Sequence, residues 1–477
     1  MGGRSVSHTF QTMKIQYVSI SPTTTAENQG CYSLTPELLA ATGARYSRNN
    51  EGLDAIVSKI DFSNTDKSVD GIFKMVDYGH ASIADMAPIA LFIDDISIYS
   101  AYHLWTLAPT AGGQECSTRY IKLDAGNVVD PDLLGISDDL KLDYWQHIEK
   151  SFKYYELALE YWTSIGNLHP ELTKIPSSLL NSTLDKDKKQ VGRMMRNFAF
   201  DRARVYLPVS AMTGVMMVQS ARAWANMSAH LQSHSLRELN LIGKEIEEKL
   251  KIGAPRLVKH CRPTEAIIAL YKHEHSHIES KTKLSSTSAD PFRKLRDPNK
   301  TTCILEVYSN EVITEKALDF RTNRYSPFGH SLSQMPVTFG WSGITFGEIR
   351  DLNRHRTGNK FCPLFPYSFY GATDQLQDDS DISNKISKLS DDFQQTTQKA
   401  VGLILSNHQY IYFTNLGHKY YFEHTTTADK FLYEMELRTG VGAHYKYAEH
   451  CHKMLELWYE KYPQTQGLIF EGSAEPE

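Results

Sequence analysis

One pattern occurs twice in this chain, a whole domain apart, and each copy has lost a different piece of it. The first copy starts at Gly79-His80, passes through an apolar stretch from Ala87 to Ile98 and reaches Glu115-Cys116-Ser117-Thr118-Arg119-Tyr120. The second starts at Gly329-His330, passes through Pro336 to Ile349 and reaches Asn353-Arg354-His355-Arg356. The first keeps a Glu/Ser/Arg cluster and has no Arg-His-Arg. The second keeps Arg-His-Arg and has no such cluster. A repeat of this length means a duplicated domain rather than a solenoid, so similar parts must be folded twice. Complementary losses point to one composite site that draws on both copies.

The parts follow the same order in each half. A strand-like alternating run comes first, Ala87 to Phe92 and Val337 to Thr345. A block rich in Arg, Ser and Pro follows, and long helical stretches close each half. These are expected over Lys188 to Leu250, interrupted at Leu207-Pro208, and over Asp391 to Ser406 and Lys430 to Tyr459. Strands and helices in each half imply an α+β fold, two tandem domains each with a sheet and long helices. The domains are expected at residues 1–270 and 301–477, with a polar linker over 271–300. His273, His275 and His277 in that linker lack a carboxylate or Cys at ligand spacing and read as solvated rather than as a metal site.

At 477 residues the chain suits two domains. A net charge of −5 gives no global basic field, so duplex nucleic acid is not the expected partner. Local arginine clusters can still hold a small anion. No apolar run reaches membrane-span length. Six scattered cysteines without a CxxC pair suggest a reducing cytoplasm and neither a disulfide framework nor a zinc site.

The block Glu115-x-Ser117-x-Arg119-Tyr120, following Gly79-His80, resembles the flavin-dependent thymidylate synthases. Their signature is Arg-His-Arg, a spacer, then Asn-Glu-x-Ser-x-Arg-Tyr. Ala44-Arg45-Tyr46-Ser47, Ala203-Arg204-x-x-Leu207-Pro208 and Ala221-Arg222-x-x-x-Asn226 resemble further family segments in the right order. Arg354-His355-Arg356 and Glu436-Leu437-Arg438 supply what the first half lacks, the latter resembling the family's Asn-Leu-Arg.

The resemblance implies a homotetrameric α+β enzyme with sites shared between subunits. It implies FAD, NADPH and methylenetetrahydrofolate, and conversion of dUMP to dTMP. Carried over residue by residue, Glu115, Ser117, Arg119, Arg204 and Arg354 bind the nucleotide. Arg438 is the catalytic residue beside the pyrimidine. Ser47, His80, Ser82, Arg222, Asn226, Arg354, His355 and Arg356 face the flavin, with Asp85 a weaker candidate. No metal is implied. A tandem chain mimicking a family dimer implies a homodimer with pseudo-tetrameric symmetry.

The residue types suit these roles. A guanidinium gives a phosphate two parallel charge-assisted bonds, and losing one in a desolvated site costs roughly 2–5 kcal/mol. The alternative for any one arginine is a salt bridge, for Arg438 an i,i+4 pair with Glu434. A fixed cation by the pyrimidine stabilises charge spreading into the ring. Cys116 has no activating neighbour and reads as structural.

Departures from the family leave the substrate open. Leu107-Ala108-Pro109-Thr110 replaces Arg-His-Arg in the first half, and Pro363-Leu364-Phe365-Pro366-Tyr367 replaces the Glu/Ser/Arg cluster in the second. His230 takes the place expected for the first half's base-contacting arginine, and Asp429 that of the second half's flavin arginine. Asp351 stands where the family commonly has Gln, and a carboxylate there would repel a phosphate or prefer an amino donor. FAD-dependent methyl transfer to C5 of dUMP or a close pyrimidine nucleotide is the leading expectation. The alternative is a non-catalytic nucleotide- or flavin-binding paralogue that assembles with an active synthase.

Overall fold

The computed structural model describes residues 13–19, 33–50, 52–77, 80–108, 110–119, 122–284, 301–309, 318–375, 381–404, 408–440 and 442–472. It is an α+β structure with two sheets and long helices. The first sheet contains β1 (Lys14–Val18), β2 (Pro88–Ser97), β3 (Gly112–Glu115) and β4 (Met212–Ser220), in the order β1-β2-β4-β3. The second contains β5 (Thr302–Val307), β6 (Pro336–Thr345), β7 (Asn359–Phe361), β8 (Ser368–Phe369) and β9 (His418–Thr427), in the order β5-β6-β9-β7, with β8 on β9. The named strands of both sheets pair antiparallel.

Both sheets use the same local devices. Each central strand runs straight into a helix through a hydroxyl cap: β2 into α1 (Ile98–Leu107) and β6 into α7 (Phe346–Asn353). Ser97 Oγ accepts from Ser100 N at 3.0 Å. Thr345 forms a capping box, accepting from Glu348 N at 3.3 Å while its own N donates to Glu348 Oε2 at 2.9 Å. Two residues before each cap the strand bulges, at Asp95 (φ 59°) and Gly343 (φ 101°). Such a bulge needs a left-handed residue, which Gly and Asp tolerate best.

Between α1 and α7 lie α2 (Asp138–Leu168), α3 (Asp185–Ala203), α4 (Ala221–Ser233), α5 (Arg237–Gly253) and α6 (Glu265–Leu284). After β9 come α8 (Ala428–Thr439) and α9 (Tyr445–Lys461). α5 buries Leu239, Ile242, Ile246 and Leu250 at helical spacing, each contributing about 1.5–3 kcal/mol of burial.

The helical stretch expected from Lys188 to Leu250 is broken by β4. Val215, Met217 and the residues between them lie on a strand, and the helix starts only after Ser220, whose Oγ caps Ala223 N at 3.1 Å. Gln219 therefore belongs to the strand, while Arg222, Asn226 and His230 lie on α4. The sequence Val-Met-Met-Val serves either periodicity, and pairing with β2 decides it.

The chain divides into two compact units: residues 1–116, 127–141 and 210–276, and residues 117–126, 142–209 and 277–477. The first contains the β1–β4 sheet. The second contains the β5–β9 sheet together with α3 and most of α2. The compact units thus do not follow the expected boundary at 271–300: two first-half segments, 117–126 and 142–209, group with the second half. The start of the expected linker, including His273, His275 and His277, is helical in α6, and residues 285–300 lie outside the described residues. Among the described residues no helix is long and apolar enough to cross a membrane.

Candidate nucleotide site

Within the second unit, chain from the first half is fastened to chain from the second along one line of backbone. Val209 N donates to Thr414 O (3.0 Å), Leu416 N to Leu207 O (2.9 Å) and Gly417 N to Val205 O (2.7 Å). Asn415 adds Nδ2 bonds to Tyr206 O (2.7 Å) and Ser151 Oγ (2.8 Å). Arg204 begins this segment, directly after α3, and is 3% exposed. Its Nη2 lies 3.6 Å from Asp351 Oδ2.

Arg119 is held from α3. Its Nε and Nη2 donate to the two oxygens of Asp201 at 2.6 and 2.8 Å, and its Nη1 donates to Gly442 O at 3.0 Å. Asp201 is buried. Burial pushes its carboxyl up, but the charge of Arg119 outweighs that and holds it below the ordinary range. Ser117 Oγ accepts from Arg119 N at 3.2 Å, which fixes the turn that presents the guanidinium. Arg350 Nη1 reaches Thr118 Oγ1 at 3.4 Å.

Asp351 joins the remaining arginines. Arg354 Nη2 donates to its carboxylate, and Arg438 Nη2 donates to its backbone oxygen at 3.1 Å. Burial would raise this carboxyl; Arg354, Arg204, Arg438 and Arg119 together drive it far below the ordinary range. Asp351 is therefore a paired anion. Arg119, Arg204, Arg350, Arg354 and Arg438 stand against Asp201 and Asp351, so the cluster retains an excess of positive charge suited to a phosphate.

Arg438 does not use Glu434 as its hydrogen-bond acceptor. Its Nε donates to His355 Nε2 at 2.8 Å. That ring nitrogen must carry a lone pair, so His355 is neutral with its proton on Nδ1, 3.8 Å from Glu434 Oε2. Burial holds the His355 imidazolium down to about 3. Glu434 in turn lies 3.2 Å from His424 Nδ1, and His424 Nε2 donates to Thr357 O at 2.6 Å. His355 was expected to face a flavin. Its side chain is only 10% exposed and both ring nitrogens are directed at protein groups. In this structure it orients Arg438.

The other expected residues are spread over both units. Glu115 ends β3 opposite Val215 in the first unit, and Cys116 N continues that edge by donating to Gly214 O at 2.9 Å. Ser47 Oγ donates to Ala44 O and terminates the helix Pro36–Tyr46. His80, Ser82, Arg222 and Asn226 are exposed in the first unit, and Arg356 is exposed in the second. Arg222 Nη1 donates to Asp85 Oδ2 at 2.9 Å. Both partners are about half exposed, and such a pair contributes only about 0–1 kcal/mol, so an incoming anion can replace Asp85. Arg222 and Asn226, one turn apart on α4, thus fit a phosphate- or ribose-bearing cofactor. Gly79 and Tyr120 lie outside the described residues.

His230 is not the counterpart of Arg438. The caps Ser220 and Thr427 hold matching positions, opposite Pro88 and Pro336. The residue at Arg438's offset from its cap is Leu231, which is fully buried. Sequence reasoning also missed Asp201 and His444. The only signal for Asp201 was a carboxylate three residues before Arg204, directly after the apolar run Phe198-Ala199-Phe200.

The enclosed histidines predict an acid-sensitive fold. Burial, their leading cause of shift, holds His103 and His444 down to about 4 and His355 and His418 to about 3. Their unfolded value is near 6.5, so the unfolded chain binds protons that the folded chain refuses. This contribution is complete above pH 6.5 and is lost progressively as pH falls towards 4, by up to about 1.4 kcal/mol per pH unit for each histidine. Urea unfolding is expected to show a loss of several kcal/mol, on the order of 3 or more, between pH 7 and pH 5. A flat profile would contradict the burial of these rings.

Residues 32–256 match the model of the thymidylate synthase complementing protein family. A UPF0159 protein of Chlamydia pneumoniae is 26% identical over 388 residues, 68% of this chain and 69% of the relative. UPF0159 protein Ta1429 of Thermoplasma acidophilum is 21% identical over 367 residues, 66% of this chain and 70% of the relative. Among solved structures, a UMP/dUMP methylase PolB from Streptomyces cacaoi bound with 5-Br dUMP is similar at 17% identity, with a TM-score of 0.31 over 52% of this chain and 94% of the other.

Proposed function

We propose that residues 32–256, which match the thymidylate synthase complementing protein model, form a domain of the flavin-dependent thymidylate synthase family, and that the chain methylates C5 of a pyrimidine nucleotide, dUMP or a close variant. The observation that carries this reading is the meeting, in one compact unit of one chain, of Arg119 and Arg204 from the first half with Arg354 and Arg438 from the second.

In this reading Arg119, with Arg354, takes the nucleotide phosphate, and Ser117 sets the turn that aims Arg119. Asp201 and Asp351 keep the guanidinium groups ordered until an anion arrives. Arg438 lies by the ring, where its charge favours electron density moving towards C5. His355 and Glu434 fix its orientation. FAD, when bound, would supply the hydride that completes the methyl group. Methylenetetrahydrofolate brings the carbon and NADPH the electrons. A homodimer is the expected assembly, to be checked by light scattering.

One observation favours a second reading, nucleotide binding without catalysis: Asp201 already fills the bidentate face of Arg119. The two readings separate in one experiment. The protein is incubated with FAD, NADPH and methylenetetrahydrofolate, and dUMP, UMP, dCMP and CMP are screened by mass spectrometry. Conversion of one of them to a product heavier by CH2, a methyl group in place of the C5 hydrogen, with NADPH consumed, is expected. Nucleotide binding without NADPH oxidation would favour the second reading, and no nucleotide binding would overturn both.

A further inference from the structure

Two buried polar atoms of the arginine cluster, one on His444 and one on Arg204, are of opposite kind and have no hydrogen-bond partner in this structure. His444 is 4% exposed, and its Nε2 faces the backbone oxygen of Asp201 at 2.9 Å. A carbonyl oxygen only accepts, so Nε2 carries a proton. Burial, then the neighbouring charge of Arg204, holds the imidazolium down to about 4, which leaves the ring neutral at physiological pH. Nδ1 is therefore a lone-pair acceptor, buried and without a partner. Arg204, 3% exposed, has the complementary vacancy. Its Nη2 is a buried donor without an acceptor, since Asp351 Oδ2 at 3.6 Å is beyond hydrogen-bond reach.

Buried polar atoms left open in this way call for an explanation. A phosphate cannot supply one, because a dianionic phosphate offers only acceptors and leaves Nδ1 unanswered. A pyrimidine edge offers a donor next to an acceptor: N3–H beside a carbonyl oxygen in uracil, the amino group beside N3 in cytosine. We infer that His444 is a base-positioning residue whose Nδ1 accepts a hydrogen bond from the pyrimidine, with Arg204 Nη2 donating to the adjacent acceptor on the same base. This rests on the nucleotide reading of the cluster and refines it. Arg204 serves the base, and phosphate binding stays with Arg119 and Arg354.

The test compares wild type, His444→Gln and His444→Asn by calorimetric titration with dUMP and dCMP, and with ribose 5-phosphate as a base-free probe. Gln keeps a donor for Asp201 O and removes the ring acceptor. Asn places an oxygen near the former Nδ1. Gln is expected to weaken the preferred nucleotide roughly tenfold or more, Asn to restore most of that loss, and ribose 5-phosphate to bind all three alike. Equal nucleotide affinity for wild type and His444→Gln would overturn the inference while leaving the proposed function standing. An equal loss for ribose 5-phosphate would overturn it too, since the role would then be structural. If wild type binds neither nucleotide, the proposed function itself fails.

Discussion

An Arg438→Ala variant is expected to keep its fold and nucleotide affinity while kcat falls about 10²–10³-fold, the range seen when one preorganised charge donor is removed. Arg438 is fixed before substrate arrives: Nε on His355 Nε2 and Nη2 on Asp351 O leave little orientational freedom to lose. A group held this rigidly acts mainly on the charge that develops during reaction, so kcat moves more than KM. His355→Ala should shift the same constants in the same direction by less, because the guanidinium remains but can turn. A raised KM with unchanged kcat for Arg438→Ala would reassign this residue to ground-state binding.

The largest stability effect is expected two residues away. Glu436 stands where the family has Asn, and it forms a fully enclosed pair with Arg321, at 2.6 and 2.7 Å, both side chains 0% exposed. Arg321 also donates to Ser326 O at 3.2 Å and lies 3.7 Å from the Phe328 ring centre, while Glu436 Oε1 accepts from Phe470 N at 2.9 Å. Arg321→Ala strands a carboxylate in the interior and should cost about 3–5 kcal/mol, a large share of a typical domain's stability. The double variant Arg321→Met with Glu436→Met should recover more than half of that loss, because no buried charge is left unpaired. Urea unfolding reads both. A double variant as unstable as Arg321→Ala would show that packing, not the stranded charge, sets the cost.

What could be read from the sequence was the part encoded in order and spacing. The two apolar runs became β2 and β6, each ending in a Ser or Thr that caps a helix, and Arg119, Arg204, Arg354 and Arg438 were singled out from motif fragments. What could not be read was decided by tertiary contacts. β4 carries a Val-Met-Met-Val run compatible with helix or strand, and only its pairing with β2 chooses. The middle residue of Arg354-His355-Arg356 was expected outward with its neighbours; the turn after α7 sends it inward to Arg438. Asp201 and His444 belong to no motif. They reach the site because Val205, Leu207 and Val209 hydrogen-bond to residues 414–417, a contact between chain segments some two hundred residues apart in sequence. The same contact moves residues 142–209 into the second compact unit, which no composition shift announced.

The central claim is that one chain contains both sets of arginines of one site. It is tested most directly by co-expressing Arg119→Ala and Arg438→Ala chains under different tags, isolating the mixed oligomer and measuring methyl transfer to the nucleotide that wild type accepts. A site assembled within one chain predicts that the mixed oligomer stays as inactive as either variant alone. Recovery of a substantial part of wild-type turnover would contradict it, because an intact site could then form only between chains.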